Sequence, residues 1–153
     1  MRIKPAFMSS PSNQDRGNSE LRELLHLTIS ADSEAVSSAA DAVSNTLTQL
    51  EVPEQKRFEI VLAVQEALTN AVVHGCANDS SKNVTCRLQC AKEGRIEIIV
   101  TDPGPGFDPD SIAAPTDGDR LQADHGRGVY LIRQLMDEVR FERAGSEIRM
   151  WKY

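Results

Sequence analysis

Three groups of residues in the second half of the chain have types and spacings that could do chemistry. Glu66 and Asn70 stand four apart in Glu66-Ala-Leu-Thr-Asn70, which on a helix puts a carboxylate and an amide one turn apart on the same side. Asp102 leads into Pro-Gly104-Pro-Gly106, and Gly126-Arg127-Gly128 runs directly into the apolar Val129-Tyr-Leu-Ile132. A Glu can take a proton from an incoming hydroxyl, and an Asn oxygen suits Mg²⁺, which prefers few protein ligands beside phosphate and water. A strand-end aspartate can accept a hydrogen bond from an exocyclic amine such as that of adenine. In this order the three groups supply the parts of a site for ATP and Mg²⁺.

The elements that must position these groups can be read from the pattern around them. Ile60, Val61, Val64, Ala67, Leu68, Ala71 and Val72 form one stripe of a helix predicted from about Pro53 to His74, with Gly75 as its left-handed stop. Glu66 and Asn70 point away from that stripe's centre, and small Ala63 and Ala67 leave room beside them. His74, a further turn along, could reach a phosphate region or simply sit against the helix's C-terminal dipole. Gly104 and Gly106 allow a tight turn and close approach to a flat ligand. The glycines before Val129 should present backbone N–H groups to an anion, with Arg127 adding a cation. No G-x-x-x-x-G-K-[ST] occurs, so this is not a P-loop. No ordinary β-α-β crossover surrounds the glycines, so it is not a dinucleotide fingerprint. The polar stretch from Ala113 to His125 would suit a lid over bound nucleotide.

Residues 1 to about 19 are polar and Gly/Pro-punctuated, the composition of a disordered lead-in, which leaves one domain over 20–153. A first strand is expected from Leu21 to Ile29. A helix capped by Asp32 or Ser33 should run to about Leu50, burying Val36, Ala39, Ala40, Val43 and Leu47. Val84–Cys90 and Arg95–Val100 read as strands joined around Lys92-Glu-Gly94. A long loop covers about 103 to 125, a third helix Gly128 to Glu138, and closing strands Val139–Glu142 and Glu147–Tyr153 turn at Ala144-Gly-Ser146. This order predicts an α/β two-layer sandwich, with helices on one face of a mixed, mostly antiparallel sheet.

Composition narrows the function classes. The formal net charge of −6 over 153 residues leaves no basic surface for nucleic acid. No apolar run reaches the roughly 20 residues of a membrane span, and no signal sequence is evident, so the chain reads as cytoplasmic. Cys76, Cys86 and Cys90 are odd in number without C-x-x-C spacing, arguing against both a disulfide framework and a zinc site.

Taken together, Glu66-Ala-Leu-Thr-Asn-Ala-Val-Val-His-Gly75, Val100-Thr-Asp-Pro-Gly-Pro-Gly-Phe107 and Gly126-Arg-Gly-Val-Tyr-Leu-Ile-Arg-Gln-Leu-Met-Asp-Glu-Val139 resemble the GHKL ATP-binding fold. The match is closer still to its small stand-alone branch, the anti-sigma factor serine/threonine kinases of the RsbW and SpoIIAB type. The resemblance spans roughly residues 21 to 153. It implies that Glu66 acts as general base on a serine or threonine hydroxyl, that Asn70 holds Mg²⁺, and that Asp102 binds the adenine amino group. It also implies that the two Gly-x-Gly segments flank the nucleotide, Val129 following the second. Ser146 stands where such proteins often carry a threonine near the adenine. The implied partners are a STAS-domain anti-anti-sigma factor, phosphorylated on serine, and a sigma factor held by a kinase homodimer. Competing readings are an ATP-gated binding protein that transfers nothing and a detached histidine-kinase catalytic domain. For the latter, His26, His74 and His125 lie on elements assigned to other roles.

Overall fold

The computed structural model describes residues 20–111 and 124–153. The disordered lead-in expected over 1–19, and nearly all of the lid expected over 113–125, lie outside the described residues. Strand β1 (Arg22–Ser30) is followed by helices α1 (Ser33–Gln49) and α2 (Glu54–Asn70), strands β2 (Asn83–Cys90) and β3 (Ile96–Thr101), helix α3 (Asp124–Leu135), and strands β4 (Glu138–Glu142) and β5 (Glu147–Lys152). The strands form one sheet in the order β1-β2-β3-β5-β4. Each of its four pairings is antiparallel, the pure form of the mostly antiparallel sheet expected. Thus β3 and β4 run parallel on either side of β5, and the connection between them carries α3.

Local chemistry sets the helix ends. Asp32 caps α1 by accepting from the Ala35 N–H at 2.8 Å, and the Ser30 hydroxyl fixes the same carboxylate at 2.5 Å. Those two bonds pull the Asp32 carboxyl below its ordinary pKa. The buried stripe of α1 is the expected one, Val36, Ala39, Ala40, Val43 and Leu47, whereas Leu50, just past the helix end, is exposed. α2 lies between α1 and α3. It buries Ile60, Ala63, Val64, Ala67 and Leu68 against Val84, Cys86, Leu88, Ile98, Val100 and Met150 of the sheet.

The ends of α2 and α3 depart most from the sequence reading. α2 does not end on a left-handed Gly75. Its last turn widens into a π-turn over Ala71–Gly75, closed by the Cys76 N–H donating to Ala71 O at 2.8 Å, and the left-handed residues are Ala77 and Asn78. α3 begins at Asp124 rather than Gly128 and ends at Leu135. Gly126 and Gly128 therefore lie inside its first turns, and only the earlier of the two has an N–H outside the i→i−4 ladder.

Candidate active site

The π-turn and the end of β3 meet through glycines. A side chain on Gly75 would occupy the position of the Asp102 carboxylate, and one on Gly104 would strike the Gly75 carbonyl. Asp102 is thereby pressed against the end of α2, where its Oδ1 accepts from the Gly104 N–H at 2.7 Å. Burial pushes its carboxyl above the ordinary aspartate pKa, and the single backbone bond only partly offsets this. Burial, and then the neighbouring Asp102 charge, likewise raise the Cys76 thiol.

A cleft opens around Asp102. Asn70, His74, Asp102, Gly106, Val129 and Ser146 line it, among the residues singled out from sequence. Ala67, Ala71, Val100, Phe141 and Ile148 give it apolar walls, and Phe107 meets Phe141 edge-on at 5.2 Å. Apolar walls around one half-buried carboxylate suit a planar ring bearing an amine. The Ser146 hydroxyl donates to Arg143 O at 2.9 Å, and Ser146 O accepts the Asp102 N–H at 3.0 Å.

A second cleft adjoins the first along α2, sharing Asn70 and His74 with it and adding Glu66, Thr69, Arg127, Gly128 and Leu131. Here α2 and α3 nearly touch. The point a Gly128 side chain would occupy is 2.9 Å from Asn70 Nδ2 and 3.1 Å from both Asn70 Oδ1 and Glu66 Oε2. Gly128 therefore serves close packing, and the Glu66 and Asn70 head groups converge over it. The apolar slot and this polar cleft share Asn70 and His74, a pairing suited to a base joined to charged groups.

A family profile described as the histidine kinase-like ATPase domain matches residues 29–152. The chain belongs to this family. Over 138 residues it is 34% identical to the serine-protein kinase RsbW of Halalkalibacterium halodurans, covering 86% of this chain and 83% of that one. Over 129 residues it is 30% identical to the anti-sigma F factor of Priestia megaterium, covering 83% and 88%. Its fold matches the RsbU and RsbW domains of a Mycobacterium tuberculosis protein with a TM-score of 0.59 at 21% identity. That match covers 84% of this chain and 31% of the other. Within the histidine kinase-like ATPases, the chain is of the RsbW and anti-sigma F type.

In this ATPase domain two of the expected residues line neither cleft. Gly104 acts behind the site, by letting the backbone pack on Gly75, and Gly126 lies in the first turn of α3. The walls made by Phe107, Phe141, Gly145 and Ile148 were not singled out from sequence. Phe107 directly follows the Asp102–Gly106 motif and could have been found there. Phe141 and Ile148 sit in ordinary strand alternation and carry no separate signal. Glu66 also borders a third groove, formed with the capping Asp32, Ser33 and Ser37 of α1, Gln65, Thr69 and Val73, and Asn78 and Ser80. Its carboxylate thus stands on the ridge between that groove and the polar cleft.

Proposed function

We propose that the protein is an ATP-dependent serine kinase and anti-sigma factor, phosphorylating a serine of a STAS-domain anti-anti-sigma partner and holding a sigma factor as a homodimer. The observation that carries the reading is the position of Glu66, on the ridge between the polar cleft and a separate groove. With adenine against Asp102 and the triphosphate along Asn70, His74 and Arg127, the γ-phosphoryl group would lie beside Glu66. An acceptor loop entering by the α1 groove would bring its hydroxyl to the opposite side. Glu66 would take the serine proton as the serine oxygen bonds to the γ-phosphorus, and the bond to the β–γ bridging oxygen would break to release ADP.

The residues present fit Mg²⁺. Among the described residues no cluster of three or more His, Cys, Asp or Glu could cage a metal, whereas Asn70 offers one neutral oxygen beside the phosphate path. That is the sparse protein share expected of a cation held mainly by phosphate and water. When bound, Mg²⁺ would neutralise charge on the phosphates.

The test is transfer of label from ATP to the STAS-domain proteins of the source organism. Glu66→Gln should bind ATP normally while transfer falls at least about a hundredfold, the general-base contribution. Equal transfer by the variant would remove Glu66 from the role. Tight ATP binding without transfer to any candidate would favour the non-catalytic switch.

A further inference from the structure

The paired ends of β3 and β5 lie at the rim of the nucleotide cleft, and the side-chain contacts holding them there lie on the other face of the sheet. Thr101 and Glu147 are the last register pair of the two strands, and the Thr101 hydroxyl donates to Glu147 Oε2 at 2.9 Å. One residue further on, the Asp102 N–H donates to Ser146 O. Side chains alternate across a sheet, so Thr101 and Glu147 face away from the helices while Asp102 and Ser146 face the cleft.

Glu147 is only 4% exposed on the face the helices leave open. Its Oε1 accepts from Arg149 Nε at 3.0 Å, and Arg143 Nε lies 3.3 Å from Oε2. Burial alone would raise this carboxyl, but the Thr101 hydroxyl and the two guanidiniums hold it below the ordinary value. Arg143 opens a turn in which it, Ala144 and Gly145 have φ of 52°, 55° and 90°. Two consecutive non-glycine residues in left-handed backbone are strained, and such strain persists only where surrounding contacts over-determine it. The same turn walls the cleft. Ala144 O fills the position a side chain on Gly106 would need, and Gly145 packs on the Phe107 backbone. A buried ion pair is weak evidence for stability, since apolar replacements often serve as well, so this carboxylate calls for another account.

We propose that Glu147 is a positioning residue of the nucleotide site. Through Thr101 it fixes the strand end that carries Asp102, and through Arg143 it fixes the strained turn opposite, so that it sets the width of the adenine slot from behind. This rests on the nucleotide reading above.

Glu147→Gln keeps the size and an oxygen for Thr101 but loses the charge that holds Arg143. By calorimetry, affinity for adenosine and for ATP should fall by the same factor, about 5- to 20-fold, as expected of residues coupled in one network. Thr101→Val should weaken both ligands similarly, and Thr101→Ser should restore them. The deciding measurement is a double-mutant cycle with Asp102→Asn, in which the Glu147→Gln loss should shrink to about twofold or less because both act on the same contact. Additive losses, or unchanged affinity in the single variant, would overturn the proposal. Should Glu147→Gln fail to fold, Arg143→Ala carries the same cycle, since that side chain is 68% exposed. Wild-type protein that binds neither ligand would fail the nucleotide reading itself, and this proposal with it. Wild-type binding with additive cycles would sink this proposal alone.

Discussion

At the residue scale, the adenine-binding role proposed for Asp102 opposes stability. Its folded pKa lies above the ordinary aspartate value because burial disfavours the charged form. A carboxyl raised in this way makes the fold less stable at neutral pH, and the penalty is relieved as pH falls through its folded pKa. Asp102→Asn should therefore leave the thermal midpoint of the ligand-free protein unchanged or raise it, while weakening ATP binding at least about tenfold by removing a charged acceptor. Calorimetry and thermal melts on one sample check both halves, and a lower midpoint with intact affinity would refute the assignment. Wild-type affinity for adenosine should also decline on acidification, beginning above the pH at which an ordinary aspartate titrates. Residues such as Asp102, Glu66 and Asn70 were legible in the sequence because polar types at fixed spacing stand out from a core pattern. Phe141 and Ile148 were not, because a cleft-facing apolar side chain looks the same as one facing the core until the neighbouring elements are in place.

At the scale of elements, the glycines separate into two kinds that the sequence shows alike. A side chain on Gly128 would meet the far ends of two flexible side chains, Asn70 and Glu66, which can swing aside. Replacing a helical glycine by alanine gains about 1 kcal/mol of helix propensity, comparable to the cost of modest overpacking at 1–3 kcal/mol. Gly128→Ala should then keep stability within about 1 kcal/mol of wild type in urea melts while abolishing phosphoryl transfer. Gly106 has φ of +75° and faces the Ala144 carbonyl, which is backbone and cannot swing away. Gly106→Ala should cost about 2–4 kcal/mol in the same melts, from left-handed strain together with overpacking. A neutral Gly106→Ala would show that the 104–107 loop can move off the turn over 143–145. The sequence placed the helices and strands correctly to within a few residues. It missed the π-turn and the early start of α3 because both are set by how closely α2, α3 and the Asp102 loop approach one another. Propensity along the chain carries no record of that approach.

At the scale of the whole molecule, Lys152 joins elements distant in sequence. Its ammonium donates to Leu135 O at the end of α3 at 2.7 Å, pairs with Glu59 of α2 at 2.7 Å, and lies 3.4 Å from Asp137. The side chain is 14% exposed. Lys152→Met should cost about 1–3 kcal/mol, the range for losing hydrogen bonds to a charged group. Against its burial, the bond to Glu59 raises the lysine pKa, and the bond from Lys152 lowers that of Glu59. The lysine contribution is full below its unfolded pKa and lost as pH rises through the higher folded one. The Glu59 contribution is full above its unfolded pKa and lost as pH falls through the lower folded one. The wild-type advantage over Lys152→Met in denaturant melts should accordingly be flat between about pH 5 and pH 10, narrowing on both sides.

The strand order carries a further consequence for how the protein is made. β5 follows β4 in the chain, yet it sits inside the sheet, between β3 and β4. Until residues 147–152 leave the ribosome, β3 has an open edge, β4 has no neighbour, and the wall bearing Ser146 does not exist. Synthesis therefore yields no partly working kinase. The nascent chain must keep its apolar strands from other chains until the final rung closes, which exposes it to aggregation in that interval. Competence to take up nucleotide then depends on residues 147–152 having joined the sheet.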